Sequence, residues 1–189
     1  MSGAAEVPRI TPGSLAQLGV YGWCVTRVLG LAARTKPPHL FTTLGRNRRL
    51  FRGWLSFASR LMPFGTFPRR ESELVILRVA HLRSCSYEFE HHVRLGARVG
   101  LTAADIERVK EGPEAGGWSP RERLLLRATD ELHATQDVSD ALWSELSHEL
   151  DEPECVELVM LVGHYEMLAT AIKALRIPPD EPRHAARGA

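Results

Sequence analysis

The stretch from Glu71 to Leu82, ESELVILRVAHL, puts apolar residues on every side of a helix: Leu74, Val75, Ile76, Leu77, Val79, Ala80 and Leu82. A helix with no wet face has to be enclosed by other helices, so the rest of the chain is expected to pack around this one. Glu73 lies on the stripe of Leu77 and Ala80, at i+4 and i+7, and its carboxylate is carried inward with them. An unpaired carboxylate is costly to bury. Something must meet it.

The following segment, Cys85 to Gly100, offers the partners. At about 100° per residue, Cys85, Glu88 and His92 fall on one side with Gly96 and Val99. Glu90, Arg94 and Arg98 form a charged ladder at spacing four on the other side. Three reactive side chains thus share the inward face, beside the inward carboxylate of Glu73. Glu88 and His92 are four apart and able to hydrogen-bond, and an imidazole held by a carboxylate moves protons near neutral pH. Glu73 suits an orienting role from the neighbouring helix. Cys85 begins its helix, where the dipole lowers a thiol pKa, while the Glu88 charge opposes ionisation.

The order Glu73, Cys85, His92, the string CSYEFEHH and the later GLTAADI resemble the carboxymuconolactone decarboxylase and alkyl hydroperoxidase D superfamily. The likeness extends to ERLLLRATDELHATQDVSDALWSELSHELDE and LVMLVGHYEMLATA, about three quarters of the chain. The peroxidase branch carries Cys-x-x-Cys, but here the third residue after Cys85 is Glu88. The resemblance is therefore to the decarboxylase-like branch. It implies an all-α fold, usually in homo-oligomers. It also implies cofactor-free acid–base chemistry, decarboxylation or isomerisation of a small organic acid or lactone. Glu73, Cys85, Glu88 and His92 are the expected catalytic set. Two alternatives stay open: a thiol-dependent peroxidase using Cys85 with Cys24, Cys155 or an external thiol, and a catalytically silent oligomeric binding protein.

A developing enolate needs hydrogen-bond donors. Tyr87 and His91 could supply them, although both fall off the central stripe, and Arg78 could anchor a substrate carboxylate or equally be held in an ion pair. His164 lies on the last helix's apolar stripe with Met160, Leu161, Met167 and Leu168, where a core or interface histidine is favoured; it completes the substrate-binding candidates. No metal site is expected, since the adjacent His91 and His92 point to different sides of one helix.

Charge divides unevenly. Residues 1–70 hold eleven Lys and Arg against one acid, Glu6, whereas the remainder holds thirteen against twenty-two acids. No nucleic-acid motif accompanies the basic half, so a solvated or charge-complementary face is expected and no nucleic-acid partner. Three scattered cysteines exclude a disulfide framework. With no basic-then-apolar leader and no apolar run of about 20 residues, the expectation is a cytoplasmic chain that does not enter a membrane.

Helices are expected over 14–34, 39–45, 47–61, 71–82, 85–100, 120–135, 140–150 and from Pro153 to about Arg176, with a short one after Thr102. Thr102 with Asp105, and Ser119 with Glu122, are capping pairs. The helix at 47–61 should bury Leu50, Phe51, Trp54, Leu55, Ala58 and Leu61, and that at 14–34 should bury Leu15, Leu18, Val25, Val28, Leu29 and Ala32. No segment alternates as a strand would. The expected organisation is a flexible lead-in (1–12), one helical domain (13–178) and a disordered tail (179–189).

Overall fold

A computed structural model describes residues 7–33 and 35–182. The ends of the expected lead-in and tail, 1–6 and 183–189, lie outside the described residues. Among the described residues the regular structure is nine α-helices: α1 (Leu15–Ala33), α2 (His39–Leu44), α3 (Arg48–Leu61), α4 (Arg69–Leu82), α5 (Ser86–Arg98), α6 (Ala103–Glu111), α7 (Pro120–Thr135), α8 (Asp140–Glu149) and α9 (Glu152–Leu175). An isolated antiparallel bridge joins Thr35 and Pro182, and no strand is present among these residues. The fold is all-α, as expected. The chain groups into two compact units, Met1–Phe57 with Ile172–Ala189, and Ala58–Ala171. Its passages between them fall inside α3 and α9, so no linker composition marks the boundary.

In the first unit, Gly19 at φ 69° interrupts α1. Only glycine takes this conformation readily, and the interruption leaves carbonyls of the first turn to be met elsewhere. Arg48 meets them, donating to the carbonyls of Gln17 at 2.7 Å and of Ala16. Arg48, at the start of α3, thus finds backbone oxygen rather than an acid, and Arg46 likewise donates to the Thr11 carbonyl at 3.0 Å. The buried stripe of α1 is Leu18, as expected, with Gly22, Thr26 and Gly30; Leu15 and Val28, expected inside, are exposed. Small residues at spacing four allow close approach, and the bulky ones turn outward. On α3, Phe51 is buried and packs against Trp54, but Leu50 is 63% exposed, because one residue along a helix turns it about 100° away from Phe51. Of the expected lead-in, Arg9 is held through its N–H to the Leu175 carbonyl. Of the expected tail, Asp180 accepts the His39 N–H at 2.8 Å and Glu181 pairs with Lys36.

In the second unit α4 is the hub, packing on α5, α6 and α7. Every residue from Ser72 to Ala80 is buried. Leu74 and Leu77 join Leu101, Ile106, Val109, Trp118 and Leu126 in one apolar cluster. Both capping boxes form, Thr102 with Asp105 on α6 and Ser119 with Glu122 on α7. The loop before α4 is pinned by the Glu157 carboxylate of α9, which accepts the Thr66 N–H at 2.7 Å and the Phe67 N–H at 3.3 Å. On α9, Leu161, His164 and Leu168 are buried as expected, but Met160 and Met167, at the edge of that stripe, are about half exposed. Contrary to the expectation, α1 and α9 are both long and apolar enough to cross a membrane by length and composition; half of the α9 window is buried inside the protein, as in a core helix.

Candidate acid–base site

Pro68 precedes α4 with extended backbone, so Arg69 occupies the first helical turn and Glu73 lies one turn further in. After α4 the chain reverses through Ser84, at φ 49°, and the Cys85 N–H returns to the Ala80 carbonyl at 2.8 Å. This tight turn lays α5 against α4. Cys85 becomes the residue preceding α5, and Glu88, His92 and Gly96 form its buried stripe. Glu90, Arg94 and Arg98 are exposed. The helical spacing alone therefore delivers Glu88 and His92 to the face that meets Glu73.

The three side chains form one string. His92 Nδ1 lies 2.7 Å from Glu73 Oε2, and His92 Nε2 lies 3.3 Å from Glu88 Oε2. Glu73 Oε1 accepts from Arg69 Nη2 at 2.8 Å. Glu73 is fully buried and Glu88 and His92 nearly so. Burial pushes the His92 pKa down, but the Glu73 charge and hydrogen bond, followed by those of Glu88, outweigh it and hold the imidazole up at about 9. At neutral pH the ring is therefore an imidazolium donating to a carboxylate on either side. That arrangement satisfies two buried acids that would otherwise be prohibitive.

Two atoms around this string make no hydrogen bond although they are buried: Glu88 Oε1 and Arg69 Nη1. From α9, the Tyr165 ring stands edge-on to His92, centroids 5.2 Å apart at 87°, and His164 stands edge-on to Tyr165 at 5.3 Å. Burial pushes the Tyr165 pKa well above 10, helped by the Glu88 and Glu73 charges, so its phenol stays protonated. Burial pulls His164 down to about 4, against the Glu88 charge, so it is neutral across the physiological range.

Glu73, Glu88 and His92 are brought into direct contact. Cys85 is buried on the same stripe, and no disulfide joins it to Cys24, which is exposed, or to Cys155. Tyr87 and His91 are half-buried, and His91 stands against His92 with centroids 5.5 Å apart. His164 is buried beside Tyr165. Arg78, expected as a substrate anchor or as one half of an ion pair, is in the ion pair. Asp130 clamps its guanidinium at 2.6 and 2.8 Å, and its Nη1 donates to the Val109 and Lys110 carbonyls. Arg69 and Tyr165 were missed. Arg69 precedes Glu73 by four, a spacing that signals a helical ion pair; Tyr165 carried no signal beyond its place next to His164. Among the described residues no group of three His, Cys, Asp or Glu is disposed to hold a metal ion.

Residues 48–131 match the family described as Carboxymuconolactone decarboxylase family. No curated protein matches the chain in sequence. Several solved structures share its fold. The alkylhydroperoxidase AhpD core of an uncharacterized peroxidase-related protein from Ralstonia eutropha JMP134 superposes with a TM-score of 0.81 at 17% identity, over 96% of this chain and 99% of that one. A putative antioxidant defence protein AhpD of unknown function from Agrobacterium tumefaciens gives 0.64 at 18% identity, over 69% and 90%. The debrominase Bmp8, as an alanine variant in complex with 2,3,4-tribromopyrrole, gives 0.77 at 14% identity, over 93% of each chain.

Proposed function

We propose that this chain, whose residues 48–131 match the carboxymuconolactone decarboxylase family, is a cofactor-free acid–base enzyme acting on a small organic acid or lactone. The observation that carries this reading is the Glu73–His92–Glu88 string, in which both ring nitrogens contact carboxylates and one oxygen of Glu88 remains without a partner. Glu88 Oε1 is the atom with a lone pair to offer to a substrate. It takes a proton from the carbon next to a carbonyl, and the imidazolium of His92 offsets the charge on Glu88 before transfer. In loss of carbon dioxide the bond to the carboxylate breaks and its electron pair enters the enolate. The carbanionic carbon is then protonated from the Glu88–His92 pair. Glu73 holds the ring in place and keeps it protonated.

The test is proton exchange in deuterium oxide, followed by NMR over a panel of β-keto acids and lactones, together with carbon dioxide release. Wild type should exchange or decarboxylate at least one of them, Glu88→Gln should lose the activity, and Cys85→Ser should keep it. Activity lost on Cys85→Ser but kept on Glu88→Gln would refute the reading.

A second reading, thiol-dependent peroxide reduction, is supported by the placement of Cys85 at the start of α5 on the stripe of Glu88 and His92. A helix N-terminus favours the thiolate. Peroxide consumption that needs Cys85 and an added thiol would establish it.

A further inference from the structure

The two buried atoms without partners have opposite polarity, and both belong to groups bonded to the same string. Arg69 is a planar fork. One tine, Nη2, is fixed on Glu73, which leaves Nη1 buried with its charge-bearing N–H groups unmet. An ionised donor left unmet in a buried position is more costly than a neutral one. Glu88 shows the converse: Oε2 faces His92 and Oε1 accepts nothing, in a side chain that is 3% exposed. Tyr165 lies among them. Its ring touches His92, and the charges of Glu88, Glu73 and Arg69 all act on its hydroxyl, which stays a donor. Native proteins rarely leave such groups unsatisfied, and here two of them belong to side chains bonded to one Glu73–His92–Glu88 string.

We propose that Arg69 and Tyr165 form an oxyanion subsite beside the Glu73–His92–Glu88 string, so that the ligand is a small carboxylate whose anionic oxygen meets Arg69 Nη1 and the Tyr165 hydroxyl while its acidic proton faces Glu88 Oε1. The subsite makes the site selective for the acid over its neutral ester or lactone. It narrows the acid–base reading above to organic anions and rests on that reading for the placement of the proton. The charges of the string cancel, Arg69 and His92 against Glu73 and Glu88, so what the subsite offers an anion is a direct contact, the one guanidinium tine that makes no hydrogen bond. A neutral ligand would leave that tine unmet. The alternative of a structural arginine would place both tines on protein oxygens, as in Arg78, where each of the three guanidinium nitrogens donates to one.

The experiment titrates the full chain, at fixed ionic strength and pH 7, with acetate, acetoacetate and levulinate and with their methyl esters. Binding is read from the His92 ring resonances and by calorimetry. The acids should move the His92 signals and bind at least tenfold more tightly than the esters. Arg69→Met should weaken acid binding at least tenfold, and Arg69→Lys by less, since it keeps the charge but not the fork. Tyr165→Phe should weaken it about threefold. Each variant is checked for a wild-type melting curve, and Tyr165→Phe, which removes one oxygen, serves if Arg69→Met does not fold. Acids and esters binding alike, no acid binding at all, or acid binding unchanged in Arg69→Met overturns the subsite. Hydrogen exchange of the esters at the rate of the acids would sink the subsite and leave the acid–base reading standing. Binding of acids with the expected selectivity, but without any exchange or decarboxylation, would sink the acid–base reading and leave the subsite standing.

Discussion

Replacing Glu73 by Gln keeps the shape of the side chain and removes the charge closest to His92. In the native protein Glu73 lies 2.7 Å from Nδ1, against 3.3 Å for Glu88 at Nε2, and is the stronger of the two supports of the imidazolium. A hydrogen bond to a charged group contributes about 1.5–3 kcal/mol, which corresponds to about 1–2 pH units. The His92 midpoint should therefore fall from about 9 to between about 7 and 8 in Glu73→Gln. The assay is an NMR titration of the His92 Cε1–H. His164, held near 4, titrates well away from it. Stability gives a second readout. A histidine whose folded pKa lies above its unfolded 6.5 stabilises fully below pH 6.5 and loses that contribution as pH rises through about 9. For His92 the loss is about 3 kcal/mol, and in Glu73→Gln it should shrink to about 1 kcal/mol. A midpoint that stays near 9 in the variant, or lies near 6.5 in wild type, would refute the reasoning.

The mirror case is His164, whose folded pKa of about 4 lies below the unfolded 6.5: stability should fall by about 3 kcal/mol as pH drops through that window, and His164→Leu should abolish the loss in urea titrations. Gly65→Ala should destabilise by about 1–3 kcal/mol, because its Cβ would stand 2.3 Å from Glu157 Oε1 and 2.5 Å from the Leu61 carbonyl; an unchanged melting curve would contradict this packing. Asp130→Ala should cost about 3 kcal/mol by leaving Arg78 buried without its acid, while leaving acid binding unchanged when measured by calorimetry. On α3, Phe51→Ala should cost about 3–5 kcal/mol and Leu50→Ala within about 0.5 kcal/mol, and equal losses in chemical denaturation would show that the face is misplaced.

Most helices could be read from the sequence because their ends carry local chemistry. Ser119 and Glu122 cap α7 at the expected residue, and Thr102 and Asp105 do so for α6. The contact of Glu73 with His92 followed from two periodicities, since an inward position on α4 and an inward stripe on α5 have nowhere else to meet. Elsewhere periodicity misled. On α1 the large residues mark an amphipathic stripe, yet beyond Leu18 the buried positions are Gly22, Thr26 and Gly30, because close approach of neighbouring chain prefers the small side. Arg78 looked available because no acid lies within four residues of it; its partner Asp130 is 52 residues away and no pattern links them. Tyr165 was invisible for a related reason. A tyrosine on an apolar helix reads as core, and only the third dimension sets its ring against His92.

The unbroken burial from Ser72 to Ala80 has a consequence for motion. Backbone amides exchange with deuterium at rates set by the opening that exposes them, and amides enclosed on every side of their helix open only when the surrounding unit comes apart. Glu73 is thereby mounted on the slowest-exchanging backbone of residues 58–171. Ligand entry has to come from elements other than α4, and the segment tethered by the Glu157 carboxylate is held by far fewer bonds. Deuterium uptake should thus be steeply graded along a few consecutive residues, fast at Phe64 and nearly absent by Leu74.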